Sequence, residues 1–216
     1  MIKIFYTILQ VVYLEGKVKN QRGATMVEIL GVLGVLGVLA GSVWKLVGSA
    51  WMRYRISNGA SQIQSLQRNI SRFYASKGNY NDLEEVDAVA TLISEKVIPK
   101  NMCAGSDAIR HAFGGSVELA NVVYSNEMSS ASTSYSITFK NLSNSVCMEM
   151  LQLKWPETDN ANLISISAGG MRYTWPSYSN GDTYVLPVTM QNAMISCYGE
   201  NNSNKGGTVD ITWEFK

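Results

Sequence analysis

Few side chains in this sequence are equipped for chemistry. One histidine, His111, and three cysteines, Cys103, Cys147 and Cys197, supply its soft ligands and nucleophiles. A lone imidazole leaves little room for a His-based metal site or a Ser-His-Asp relay. No GxxxxGK[ST] loop, HExxH helix or GxSxG elbow occurs, so phosphate cradles, zinc proteolysis and hydrolase nucleophiles lack their minimum parts. The cysteines show no CxxC spacing, which argues against zinc, and their odd number leaves one thiol over from any single disulfide. His111, beside Phe113, reads as a surface or packing residue. Asp159-Asn-Ala-Asn162 and Asn180-Gly-Asp182 could offer oxygens to calcium but read more simply as turns. Trp155-Pro156 and Trp175-Pro176 set aromatics at chain bends, as packing. The expectation is no enzyme, no metal and no cofactor.

Glu28 is different. It is the one charge in the 21 residues from Ala24 to Trp44, ATMVEILGVLGVLGVLAGSVW. A helix of about 20 apolar residues crosses a bilayer core of roughly 30 Å. Gly31, Gly34, Gly37 and Gly41 suit lipid better than a water-soluble core, because each interior glycine costs a helix about 0.5–1 kcal/mol relative to alanine. A carboxylate in such a span costs several kcal/mol unless it is paired or sits at the headgroup boundary. Both readings of Glu28 stay open on composition alone. Lys17, Lys19 and Arg22 precede the apolar run. The short apolar run Ile4–Leu14 lies ahead of this basic cluster, the reverse of a secretory signal, and the cluster keeps residues 1–23 cytoplasmic by the positive-inside rule. The remainder, with its cysteines, then faces an oxidising compartment.

The run Lys17-Val-Lys-Asn-Gln-Arg-Gly23 followed by Ala24-Thr-Met-Val-Glu28-Ile-Leu resembles the processing site of type IV prepilins and secretion pseudopilins. The resemblance implies cleavage after Gly23 by a prepilin peptidase and N-methylation of the new first residue, Ala24. Many members begin with Phe or Met, so Ala24 departs from the usual pattern. Glu28 matches the family's acidic residue, fifth in the processed chain. In an assembly its natural partner is the α-ammonium of Ala24 on a neighbouring subunit, uncovered only by cleavage.

Beyond the apolar run, Ile56, Ala60, Ile63, Leu66, Ile70 and Phe73 or Tyr74 recur at three- and four-residue steps, with Arg, Ser, Asn and Gln between them. One long helix is expected from about Thr25 to Ser76, stopped by Gly78-Asn79. At 1.5 Å per residue it would run ~75–80 Å. In the remainder, Asn81-Asp-Leu-Glu84 reads as a capping box opening a helix through Leu83, Val86, Val89, Ala90, Ile93 and Val97 to Pro99. Strands are expected within Ser116–Tyr124, Tyr135–Phe139, Leu163–Ser167 and Thr208–Phe215, with a surface loop from Tyr124 to Ser134. Short helices are expected at Val146–Leu153 and Met190–Tyr198. In Thr208–Phe215 the residues Val209, Ile211, Trp213 and Phe215 share one face, the mark of a half-covered antiparallel strand.

An α+β head on a long N-terminal helix is the pilin architecture, and the head resembles the type IVb branch, including conjugative thin-pilus and toxin-coregulated pilus subunits. Gly78-Asn-Tyr80, Ile98-Pro-Lys-Asn-Met102, Phe113-Gly-Gly-Ser-Val117 and Ile137-Thr-Phe-Lys-Asn141 carry that likeness. It implies a Cys147–Cys197 disulfide, with Cys103–Cys147 as the alternative. The expected organisation is a leader (1–23), an assembly half of the helix (24–50), an amphipathic half (51–76) and a head (77–216). The resemblance also implies a homo-oligomeric helical filament, an assembly ATPase, an inner-membrane platform protein and a secretin. Charged residues are 16% of the chain, against about 25% in average soluble domains, and the formal net charge is +1. Bulk charge therefore excludes a strongly basic nucleic-acid binder. Two rivals remain: a minor pilin or pseudopilin, and an uncleaved single-pass protein with an outward binding head.

Overall fold

Long helix periodicity and short alternating strands give an α+β chain, seen in a computed structural model that describes residues 26–123, 133–155, 162–175, 184–199 and 207–216. Within the first helix, the side chains of residues 26–29, 38–40 and 42–46 fall outside the description. The leader, Gly23, Ala24, the loop at 124–132 and the turns at 159–161 and 180–182 lie outside it too. The chain divides into two compact units, residues 1–50 and 51–216.

Helix α1, Met26–Tyr74, has 49 residues and contributes to both units. In the first unit its apolar side chains face outward: Leu30, Val32, Leu33 and Val35 are 56–63% exposed. A Cβ added at Gly31, Gly34, Gly37 or Gly41 would meet nothing within 4 Å. Among the described residues no helix is long and apolar enough to cross a membrane. The span read at Ala24–Trp44 includes residues and side chains outside that description.

The second unit has a core of its own. Ile63, Leu66 and Ile70 of α1 are fully buried, with Tyr74 3% exposed, while Ile56 and Phe73 pack at its margin. Each fully buried aliphatic side chain contributes roughly 1.5–3 kcal/mol relative to exposure. After Tyr74 the chain turns through Gly78, whose φ of +71° suits glycine.

The next segment departs from expectation. No continuous helix runs from Asn81 to Val97. A 3₁₀ turn, Asn81–Glu84, is followed by extended Glu85 (φ −67°, ψ 143°) and a seven-residue helix α2, Ala88–Ser94. The capping box does not form. Asn81 N–H donates to Asn79 Oδ1 at 3.3 Å, and Asp82 is engaged by Lys77 Nζ at 2.6 Å. Leu83, Ala88 and Leu92 take the buried positions, and Val86, expected on the apolar stripe, is 100% exposed. Helix α2 closes in a Schellman motif: Lys96 adopts φ +59°, and Val97 N–H donates to Leu92 O at 2.9 Å.

Among the described residues five antiparallel strands follow: β1 Val117–Val122, β2 Ser134–Ser143, β3 Leu163–Ala168, β4 Met171–Thr174 and β5 Thr208–Phe215. Their spatial order is β1-β2-β5-β3-β4, so the final strand lies in the middle. Val209, Ile211, Trp213 and Phe215 are all buried, as their alternation requires. They join Tyr135, Ile137, Phe139, Ile166 and the α1 stripe in one core. A register shift between Phe139 and Leu142 marks a bulge where Asn141 takes φ +59°. Strand β4 is absent from the sequence expectation. It is four residues long and depends on the Gly169-Gly170 turn, with φ +57° and +81°, which returns it beside β3. Helices α3, Asn144–Leu151, and α4, Met190–Tyr198, pack on each other.

Candidate assembly site and the docking of helix on head

Of the residues the sequence singled out for assembly, Glu28 lies in the first turn of α1, with its side chain outside the description. Gly23 and Ala24 are outside it altogether, so no Glu28–Ala24 geometry is assigned. The cysteines are placed. Cys147 of α3 and Cys197 of α4, both fully buried, form a disulfide with Cα atoms 5.8 Å apart. Cys103 is a free, half-buried thiol 3.6 Å from Pro99 O.

Two polar anchors bind the carboxy-terminal half of α1 to the head, and the sequence reading named neither in that role. The first is the loop from His111 to Gly115. Ala112 N–H donates to Gln62 Oε1 at 2.7 Å, and Phe113 N–H donates to His111 Nδ1 at 3.2 Å. With Nδ1 accepting, the imidazole proton resides on Nε2, which donates to Lys140 O at 2.8 Å. The ring stacks on Phe139 at 4.8 Å and 13°, and Arg55 sits 5.5 Å over Phe113. A side chain at Gly59 would collide with the Phe113 ring, which explains glycine inside this helix. Burial lowers the His111 pKa, and the nearby Arg55 cation adds to the effect, against the Lys140 carbonyl. The imidazole is a neutral packing group here.

The second anchor is Tyr135. Its hydroxyl donates to Gln67 O at 3.1 Å and meets Ser71 Oγ at 3.0 Å. Burial pushes the phenol well above its ordinary range. Asn69 Nδ2 adds a bond to Val97 O at 2.8 Å. A buried tyrosine at the start of a strand was the available signal for this anchor, but its partner on α1 could not be read from spacing.

The other face of the sheet is polar. Lys140 Nζ lies 3.1 Å from Glu118 and 3.3 Å from Asp210 across three strands. Arg172 binds Glu214 at 2.6 Å, Ser165 Oγ donates to the same carboxylate at 2.7 Å, and Thr138 bonds Thr212 at 2.9 Å. A shallow groove of about 530 Å³ opens beside Asn141, Thr208 and Asp210. Ser165 is fully buried, its hydroxyl held between Arg172 and Glu214, and among the described residues no group of three His, Cys, Asp or Glu could hold a metal. The Lys140, Glu118 and Asp210 end of this arrangement suits a hydrated surface.

A family model described as PilS N terminal matches residues 53–212. Among curated proteins none matches. Solved structures similar to this chain include a type IV b pilin from Salmonella typhi, 17% identical, covering 74% of this chain and 96% of that one, with TM-score 0.49. Another is TcpA, a type IV pilin from Vibrio cholerae El Tor biotype, 12% identical, covering 76% and 99%, with TM-score 0.48. The family match takes in the docked part of α1 and nearly all of the sheet, well over half of the chain, and on that ground this protein belongs to the PilS N-terminal family.

Proposed function

We propose that this chain is a type IVb pilin, made as a membrane-anchored precursor, cleaved after Gly23, methylated at Ala24 and polymerised into a surface filament serving adhesion, aggregation or conjugation. The supporting observation is the first unit's helix, where Leu30, Val32, Leu33 and Val35 stand exposed beside glycines with open space around them. Such a surface in water is a liability and needs a cover. Lipid covers it before assembly, and neighbouring helices cover it afterwards, approaching closely over the small residues. In the second setting Glu28 is desolvated and takes the α-ammonium of Ala24 of a neighbour as its counter-charge. A prepilin peptidase, an assembly ATPase, a platform membrane protein and a secretin complete the machinery in this reading. The peptidase acts at the cytoplasmic side, where Lys17, Lys19 and Arg22 hold the leader.

The intact mass of the membrane-extracted polypeptide tests the processing step. A chain beginning at Ala24 with one added methyl group is expected, and a chain still beginning at Met1 overturns the reading. Gly23→Ala should block the mass change. Glu28→Ala should leave membrane insertion intact and abolish sheared filaments.

A further inference from the structure

The second unit segregates its charge along the chain. From Trp51 to Asn81 every ionisable acid or strong base is cationic: Arg53, Arg55, Arg68, Arg72 and Lys77. From Asp82 to Glu95 every one is anionic: Asp82, Glu84, Glu85, Asp87 and Glu95. Within the chain these blocks barely neutralise each other. Lys77 pairs with Asp82, and Arg55 is used against Ala112 and Phe113. Arg53, Arg68, Arg72, Glu84, Glu85, Asp87 and Glu95 are exposed and make no ion pair with a described residue.

Geometry gathers the unused charges into two surfaces. At about 100° per residue, Arg53, Tyr54, Arg68 and Arg72 fall within roughly one third of the helix circumference, opposite the buried Ile63, Leu66 and Ile70. Tyr54 is 58% exposed, with the Trp51 ring 5.8 Å from its own. Glu85 and Asp87 lie on the short strap between the 3₁₀ turn and α2, with Glu84 closing that turn, around the fully exposed Val86; Glu95 lies past the end of α2. An apolar tip rimmed by carboxylates, and a cationic helix face carrying exposed aromatic rings, have the composition of two halves of one interface: apolar centre, charged rim.

We infer that the strap Glu84–Asp87 of one subunit docks on the Arg53–Arg68–Arg72 face of α1 in a second copy of this chain. Both halves are present on every copy and are different patches. The contact is therefore heterologous and leaves one unused half at each end, so it propagates into an open helical array rather than closing a dimer. This inference rests on the filament reading above and names the contact that orients heads within it.

The test uses full-length chains in a piliated host, with yield read as sheared surface polymer. Arg68→Glu with Arg72→Glu, and separately Glu84→Lys with Glu85→Lys, should each cut yield by about tenfold or more, because like charges then face each other. All four substitutions in one chain restore opposite signs and should recover yield to within about threefold, which also shows that the variants fold. In a Cys103→Ser background, Arg68→Cys with Glu85→Cys should give an oxidant-dependent ladder of multimers, and Thr212→Cys on the outer sheet face should not. Unchanged yield in both reversals, or loss without recovery in the combined chain and no ladder, overturns the contact while wild-type polymer keeps the filament reading standing. Loss with the arginine reversals alone assigns that face to a lipid headgroup or another anionic partner and equally overturns it. Absence of this chain from wild-type polymer removes the filament reading, and the inference falls with it.

Discussion

The two units use apolar residues in opposite ways. In unit 2, Ile63, Leu66, Ile70, Trp213 and Phe215 are withdrawn from water into one core. In unit 1, Leu30, Val32, Leu33 and Val35 remain outside. Both stretches of α1 are apolar, yet only the second has a sheet to cover it. Glycine divides the same way. At Gly59 the open space is filled by Phe113, whereas at Gly34 nothing approaches. A head that completes its own burial can be stable alone; a helix that does not is committed to a partner or a membrane.

Each way of breaking this contrast has a measurable size. The largest effect is expected for Trp213→Ala in the middle strand, which should cost about 3–5 kcal/mol of head stability by denaturant unfolding of detergent-solubilised protein. A cost below about 1 kcal/mol would mean that the core is not centred on β5. Next is Cys147→Ser with Cys197→Ser. The bridge closes a separation of 50 residues, and its loss should cost roughly 4 kcal/mol on the chain-entropy account. Intact-mass measurement with and without reductant identifies the bridge independently.

A smaller effect follows from His111. The fold depresses its pKa, so as pH falls through about 6.5 the unfolded chain takes up the proton first. Stability present above that pH should decline below it, read as an unfolding midpoint that falls as the pH drops below about 6.5. His111→Gln should flatten that part of the profile, and an unchanged slope would remove His111 as its source. The smallest expected effect is in unit 1. Gly34→Ala should leave the head's unfolding within about 0.5 kcal/mol of the parent, although filament yield falls where helices can no longer approach. A larger shift in the head would end the separation of the two units.

Legibility followed how local each cause was. The α1 stripe, the alternation in β5 and the ends of α4 were readable because one element's own period exposes them. The 3₁₀ turn and strap at 81–87 were not. Asn81 through Glu84 carry the letters of a capping box, but the anchoring of Asp82 by Lys77 and the burial of Leu83 and Leu92 take the chain another way. Strand β4 escaped notice because four residues carry too little period, and its place comes from the glycine turn behind it. Gln62 carried no signal of its function, and Tyr135 none of its partner. Each is one of many polar or aromatic residues until a loop or helix distant in sequence, 50 and 68 residues away, presents a backbone group to it.

By itself, then, the sequence determined which faces had to be covered and that α1 must stop before Gly78. These follow from side-chain chemistry repeated at the period of a single element. Only the tertiary structure decided that the last strand sits at the sheet's centre, that Cys103 is the thiol left over, and that Gly59 makes room for Phe113. Such choices compare contacts between segments far apart in the chain, and their energies exist only once the segments have met.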